Sequence, residues 1–189
     1  LYKKNVLIFG FGRIGKEVTK RCMGFEANIF VFDPFINNKI IEEHGCKPIS
    51  KIEGIKLADY ISIHLPLNTE TKNFISKKEF DLMKESVILV NSARGGIVNE
   101  SDLYDALTKN KIRGAGLDVF EQEPPNENHK LFTSPNILLS PHNAALTLEC
   151  RKRMAVEGAE NIIKYLKKKN DLNINNFVNK KEIGIQRFK

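Results

Sequence analysis

Apolar residues in this chain come in two spacings. Short unbroken apolar runs recur at Asn5–Phe9 (NVLIF), Asn28–Phe32 (NIFVF), 60–64 (YISIH), 87–90, 114–119 and Ile137–Leu139. Runs of this length, apolar at nearly every position, predict strands buried on both faces. Between them the spacing lengthens. Ile14, Val18, Cys22 and Phe25 fall on one stripe of a helix after the first strand. Further helices are expected over 37–44, closed by Gly45, and over 52–57, after a short strand at 47–49. Ser76, with Glu79 three residues on, forms a capping box for the next helix. Asn99 caps one that runs to about 109, and Thr147 opens a last one to about 168. Strand and helix alternate throughout, which predicts an α/β fold. Its sheet would be parallel and doubly wound, with helices on both faces joined by right-handed crossovers. The pattern sets one domain over 1–168. The Lys/Asn-rich stretch 169–189, with Leu172, Ile174, Phe177 and Val178 as anchors, is expected to pack against something else.

Composition narrows the partners. The 189 residues are 41% hydrophobic and 28% charged, ordinary for a globular chain. The net charge of +7 raises nucleic acid as a partner. Against this, the lysines are scattered over helical segments without interleaved aromatics, and the densest run, 164–169, ends a helix, where cations suit the dipole. No nucleic-acid partner is therefore expected. No apolar run reaches the roughly 18–20 residues a membrane helix needs, so no membrane partner is expected either. Cys22, Cys46 and Cys150 are odd in number and far apart. They suggest neither a disulfide framework nor a metal site, but buried, reduced thiols in a cytoplasmic protein. The chain opens on Leu1 rather than Met, so a further upstream stretch is expected.

Candidate chemistry sits at the strand ends. GFGRIG at 10–15 joins the first strand to the first helix, the context in which GxGxxG binds a dinucleotide. Gly10 permits the tight turn, Gly12 lets backbone approach a pyrophosphate, and Gly15 lets the helix lie close on the sheet. The helix start, Arg13 and Ile14 onward, offers its N–H groups to the phosphates. Asp33 ends the second strand, 18 positions after Gly15. An acid there accepts from ribose hydroxyls and repels a 2′-phosphate, so NAD is the expected cofactor of a Rossmann fold.

Four later segments complete the pattern: HLPLNTET at 64–71, NSARGGIV at 91–98, GLDVF with EQEP at 116–124, and SPHNAA at 140–145. With GFGRIG they closely resemble the D-isomer-specific 2-hydroxyacid dehydrogenases over about residues 3–168. The likeness is greatest to the phosphoglycerate dehydrogenase and hydroxypyruvate/glyoxylate reductase branch. The resemblance implies hydride transfer between nicotinamide and C2 of a small 2-hydroxy or 2-oxo acid, most specifically 3-phosphoglycerate, which would place the chain in serine biosynthesis. It makes Arg94 the group that grips the substrate carboxylate, a task suited to a permanently charged, bidentate guanidinium. His142 becomes the general acid/base, with a ring that titrates near neutral pH. Of two nearby acids, Glu121 and Glu123, it selects Glu123 as the partner of His142, because it lies directly before a proline. Asp118 would face the carboxamide. Leu65, Pro66, Ser92, Ala93, Ala144 and Ala145 would line the cofactor, together with Arg94 and His142 themselves. His64 matches a family position and is taken as structural. A homodimer through this domain is implied. The resemblance also implies a second, substrate-binding domain contributed mainly from upstream, so that this stretch alone should bind NAD but turn over little. A glyoxylate or hydroxypyruvate reductase, or an NAD-sensing corepressor of the same fold, would carry the same motifs.

Overall fold

The computed structural model describes residues 1–167. Among them seven strands form one sheet: β1 (Asn5–Phe9), β2 (Asn28–Phe32), β3 (Lys47–Pro48), β4 (Tyr60–Ile63), β5 (Ile88–Asn91), β6 (Gly114–Leu117) and β7 (Ile137–Leu139). The connecting helices are α1 (Arg13–Met23), α2 (Asn38–Glu43), α3 (Lys51–Leu57), α4 (Lys77–Phe80), α5 (Glu100–Thr108) and α6 (Leu148–Leu166), with a 3-10 turn at Lys130–Thr133. The sheet order is β3-β2-β1-β4-β5-β6-β7 and every pairing is parallel. The parallel doubly wound sheet expected from the alternation is therefore the fold observed. Chain order reverses between β1 and β4, which makes that pair the switch point where such sheets open a crevice.

Burial on both faces explains the unbroken apolar run of β1, but not all the others, since Val90 of β5 is 39% and Leu138 of β7 80% exposed. Val6, Leu7, Ile8 and Phe9 of β1 are all buried. Leu7 and Phe9 join one core with Ile61 and Ile63 of β4, Leu89 of β5, and Leu103 and Leu107 of α5. Val6 and Ile8 join the other core with Ile29, Val31, Ile41 and Phe11. The strand's period of two thus feeds two helix layers. Each fully buried aliphatic side chain contributes on the order of 1.5–3 kcal/mol.

Several expectations need correction. The stripe predicted for α1 holds only in part: Val18 and Cys22 pack against the β1–β2 core, while Ile14 and Phe25 do not. Gly15 and Thr19 are its buried residues, Val18 and Cys22 are half-buried, and Ile14 is 67% exposed. The reason is close packing. A Cβ on Gly15 would lie 2.0 Å from the Gly10 carbonyl oxygen, so the helix presents its smallest residue to the strand turn. Phe25 lies past the end of the helix and is exposed. Of the cysteines only Cys46 is buried; Cys22 and Cys150 are half-buried, and all three are free. By its contacts the chain forms two compact units, Leu1–His142 and a second from Asn143 onward. The second unit holds α6, capped by Thr147 as expected, and α6 contributes no buried residue to a core. The expectation for 169–189 lies outside the described residues.

Leu89 sits fully buried on β5, between β4 and β6. Leu89→Ala should lower unfolding free energy by about 2–5 kcal/mol, read from urea denaturation. A loss below about 1 kcal/mol would show that β5 does not anchor the core.

Candidate active site

Because all strands are parallel, all their carboxyl ends meet one rim of the sheet, and the candidate residues follow those ends. Gly10 follows β1, Asp33 follows β2, His64 follows β4, Ser92 to Arg94 follow β5, Asp118 follows β6, and Ser140 to His142 follow β7. Neighbouring strands lie about 4.8 Å apart, so β5 and β7, which flank β6, are separated by roughly 10 Å.

The glycine loop lies over the switch point. Gly10 has φ +90°, and a Cβ there would approach the His64 carbonyl oxygen to 2.7 Å, so the turn needs glycine. Asp33 braces this loop. Its Oδ2 accepts from Phe11 N at 2.8 Å and its Oδ1 from Phe35 N at 2.9 Å. Each oxygen keeps a second lone pair for an incoming hydroxyl. Gly12 caps α1 without a side-chain bond, leaving the first-turn N–H groups to a ligand. A Cβ built on Gly12 meets nothing within 4 Å, so the protein's own packing does not demand glycine there, whereas close approach of a phosphate does. This cradle fits a dinucleotide. Beside it a cleft of about 580 Å³ is lined by Ile14, His64, Leu65, Pro66, Leu67, Ser92, Ala93 and Arg94. Six of the sequence-selected residues, Ile14, Leu65, Pro66, Ser92, Ala93 and Arg94, therefore share one wall. Arg13, also selected, is the first residue of α1.

The candidate acid/base residues, Glu123 and His142, lie along the same rim. His142 Nδ1 and Glu123 Oε2 are 2.7 Å apart. The other Glu123 oxygen accepts from Phe120 N at 3.0 Å. The His142 hydrogen bond, then the Phe120 amide, hold the Glu123 carboxyl below its ordinary value, opposed by a little burial and by the charge of Asp118. Glu123 is then ionised at neutral pH and can only accept, so Nδ1 must carry the proton and Nε2 is left for chemistry. Both residues line a second cavity, of about 350 Å³, with Phe120, Phe132, Leu139 and Ser140. Asp118 is buried and accepts from Ser140 Oγ at 2.6 Å. Ala144 and Ala145 fall in the second unit and are exposed. Among the described residues, no group of three or more His, Cys, Asp or Glu is placed to hold a metal ion, and no helix is long and apolar enough to cross a membrane.

Four contacts tie the Arg94 turn to β5, to Asp118 after β6 and to the loop that follows it. Buried Asn91 donates through Nδ2 to the Arg94 carbonyl at 2.9 Å and accepts from Ala93 N at 3.0 Å. The Asn91 carbonyl accepts from Asp118 N at 3.0 Å. Gly95 lies so close to the next loop that a Cβ would meet the Phe120 carbonyl oxygen at 1.8 Å. Sequence reasoning missed Asn91 and Ser140 as site builders. The only signal was a polar residue closing an apolar strand, which is compatible with an ordinary turn.

A parallel sheet with a glycine-rich cradle at its switch point defines a dinucleotide-binding domain, and an imidazole–carboxylate pair lies along the same rim. Residues 1–144 match the family described as D-isomer specific 2-hydroxyacid dehydrogenase, NAD binding domain, and the chain belongs to that family. It is 42% identical over 168 residues to D-3-phosphoglycerate dehydrogenase of Methanocaldococcus jannaschii, an alignment covering 88% of this chain and 32% of that one. It is 41% identical over 164 residues to glyoxylate reductase of Thermococcus litoralis, covering 87% and 49%. Among solved structures it resembles D-lactate dehydrogenase from Aquifex aeolicus complexed with NAD and lactic acid. The TM-score there is 0.82 at 30% identity, covering 93% of this chain and 57% of that one. The chain thus spans about a third to a half of the length of these curated relatives.

His64 bonds Ser62 Oγ through Nε2 at 2.9 Å, and burial pushes its pKa down from 6.5 to about 4. The unfolded chain therefore takes up a proton that folded His64 refuses. Stability from this site is complete above pH 6.5 and drains away as pH falls toward about 4. Across that window the loss should be on the order of 1–3 kcal/mol. Urea unfolding of wild type and His64→Gln as a function of pH should give curves that diverge in that range, wild type falling faster. Parallel curves would contradict this burial.

Proposed function

We propose that this chain is the cofactor-binding and proton-transferring part of an NAD-dependent D-2-hydroxyacid dehydrogenase, with Arg94, Glu123 and His142 as its catalytic residues. The observation that carries the reading is the 2.7 Å contact of His142 with Glu123, on the rim that also holds the glycine cradle and Arg94. Bound NAD supplies the site that gives or takes hydride. In reduction His142 Nε2 donates its proton to the C2 oxygen of a 2-oxo acid, and in oxidation it removes the hydroxyl proton of the 2-hydroxy acid. Glu123 fixes the ring's tautomer and favours the imidazolium. The Arg94 guanidinium lies free of carboxylate partners among the described contacts and reaches the substrate carboxylate as a bidentate clamp. Asp118, Leu65, Pro66, Ser92 and Ala93 hold the cofactor against this group. Asp33 selects NAD over its 2′-phosphorylated form.

The preferred substrate is 3-phosphoglycerate, supported by 42% identity to a phosphoglycerate dehydrogenase and by the net charge of +7, which suits a phosphorylated acid. Glyoxylate and hydroxypyruvate are the alternatives, supported by 41% and 37% identity to reductases named for them. A cytoplasmic homodimer through this domain is the assembly that goes with the family.

The test is steady-state NADH oxidation by the full-length protein with a panel of 2-oxo acids. His142→Gln should lower kcat by about 10²–10⁴ while the NADH Kd, read by fluorescence, stays within about twofold. Undiminished turnover would remove His142 from this role.

A further inference from the structure

Glu100 and His129 stand outside the roles given so far, yet their side chains meet the loop that carries Glu123. Glu100 is the first residue of α5, and its carboxylate is only 12% exposed. Its Oε1 accepts from Glu121 N at 2.6 Å, and its Oε2 lies 3.0 Å from His129 Nε2. His129 Nδ1 accepts from Leu131 N at 3.3 Å, so the ring proton must sit on Nε2, directed at Glu100. The pair is then a hydrogen bond from an imidazole N–H to a carboxylate. The His129 ring stands edge-on to Phe120, with centroids 5.6 Å apart, and packs on Phe132 at 5.9 Å. Phe120 N in turn donates to Glu123.

A carboxylate this far from water is costly unless its oxygens are occupied. Here both are occupied by groups from one loop, and the contacts bracket Glu123 on either side: Phe120 and Glu121 before it, His129 after it. We infer that Glu100 and His129 are positioning residues, a brace that fixes residues 120–123 so that Glu123 meets His142 Nδ1. This rests on the proposed proton transfer for its purpose and on the contacts above for its geometry. Other charges nearby leave the brace distinct. Lys72 reaches Glu121 only at 3.8 Å, between exposed side chains, and Asp118 faces Glu123 from the β6 end.

His129→Phe keeps the ring packing and deletes the donor to Glu100. His129→Gln can keep both bonds, donating to Glu100 and accepting from Leu131 N. The first readout is the Glu123 carboxyl, titrated by side-chain carbon NMR in the 189-residue chain. In wild type its midpoint lies below the ordinary 4.5. In His129→Phe it should rise toward that value by on the order of half a pH unit, because a loosened loop weakens both bonds that hold it down. In His129→Gln it should stay near wild type. The second readout is the full-length enzyme, where His129→Phe should lower kcat about tenfold with substrate KM and NADH Kd within about twofold. A Glu123 midpoint unmoved in folded His129→Phe would overturn the brace, whatever its melting temperature. Should His129→Phe not fold, Glu100→Gln takes its place, with the same shift expected and the same null overturning it. Absence of turnover in the wild-type full-length protein would strike the proposed function, and the NMR titration would still decide the brace.

Discussion

Parallel pairing of the strands is the constraint on which the rest depends. Each parallel ladder forces its two strands to end on the same side. Six of the seven strands therefore deliver Gly10, Asp33, His64, Arg94, Asp118 and His142 to one rim from positions spread over more than a hundred residues. The sheet can hold this arrangement because β1, β4 and β5 bury apolar side chains into cores on its faces. The reversal of chain order between β1 and β4 then opens the space into which the glycine turn and the start of α1 project.

Polar bonding across the rim refines what the ladders approximate. Asn91 organises the Arg94 turn through its side chain and receives Asp118 through its carbonyl, and Ser140 holds the Asp118 carboxylate. Gly95 lets the Arg94 turn rest on the backbone of Phe120, whose amide holds Glu123. The Arg94 turn, the Glu123 carboxylate and the end of β7 are thereby linked through backbone and short side chains, the stiffest connections available. Such connections limit how far each segment can stray from its neighbours.

Much of this was legible in the sequence. Apolar runs marked six of the seven strands, all seven were placed within a residue or two at most ends, and the caps at Asn99 and Thr147 were read from chemistry that acts locally. On α1 the close approach of Gly15 was legible from the glycine motif, and Val18 and Cys22 pack as expected, but Ile14 was misassigned because hydrophobicity alone does not show which side of the first turn is left open. The pairing of Glu123 with His142 was available only through resemblance, since nothing local links residues 19 positions apart. Asn91, Ser140, Glu100 and His129 went unnoticed for the same reason: each acts on a segment that only the folded sheet brings near.

The central claim is that Arg94 and His142 act on one small molecule. It is tested most directly by the crystal structure of the full-length protein with NADH and oxamate, an unreactive analogue of a 2-oxo acid. The account predicts the oxamate carboxylate on the Arg94 guanidinium and its carbonyl oxygen within hydrogen-bond distance of His142 Nε2. Oxamate bound away from either residue, or His142 turned from Glu123 in that complex, would contradict it.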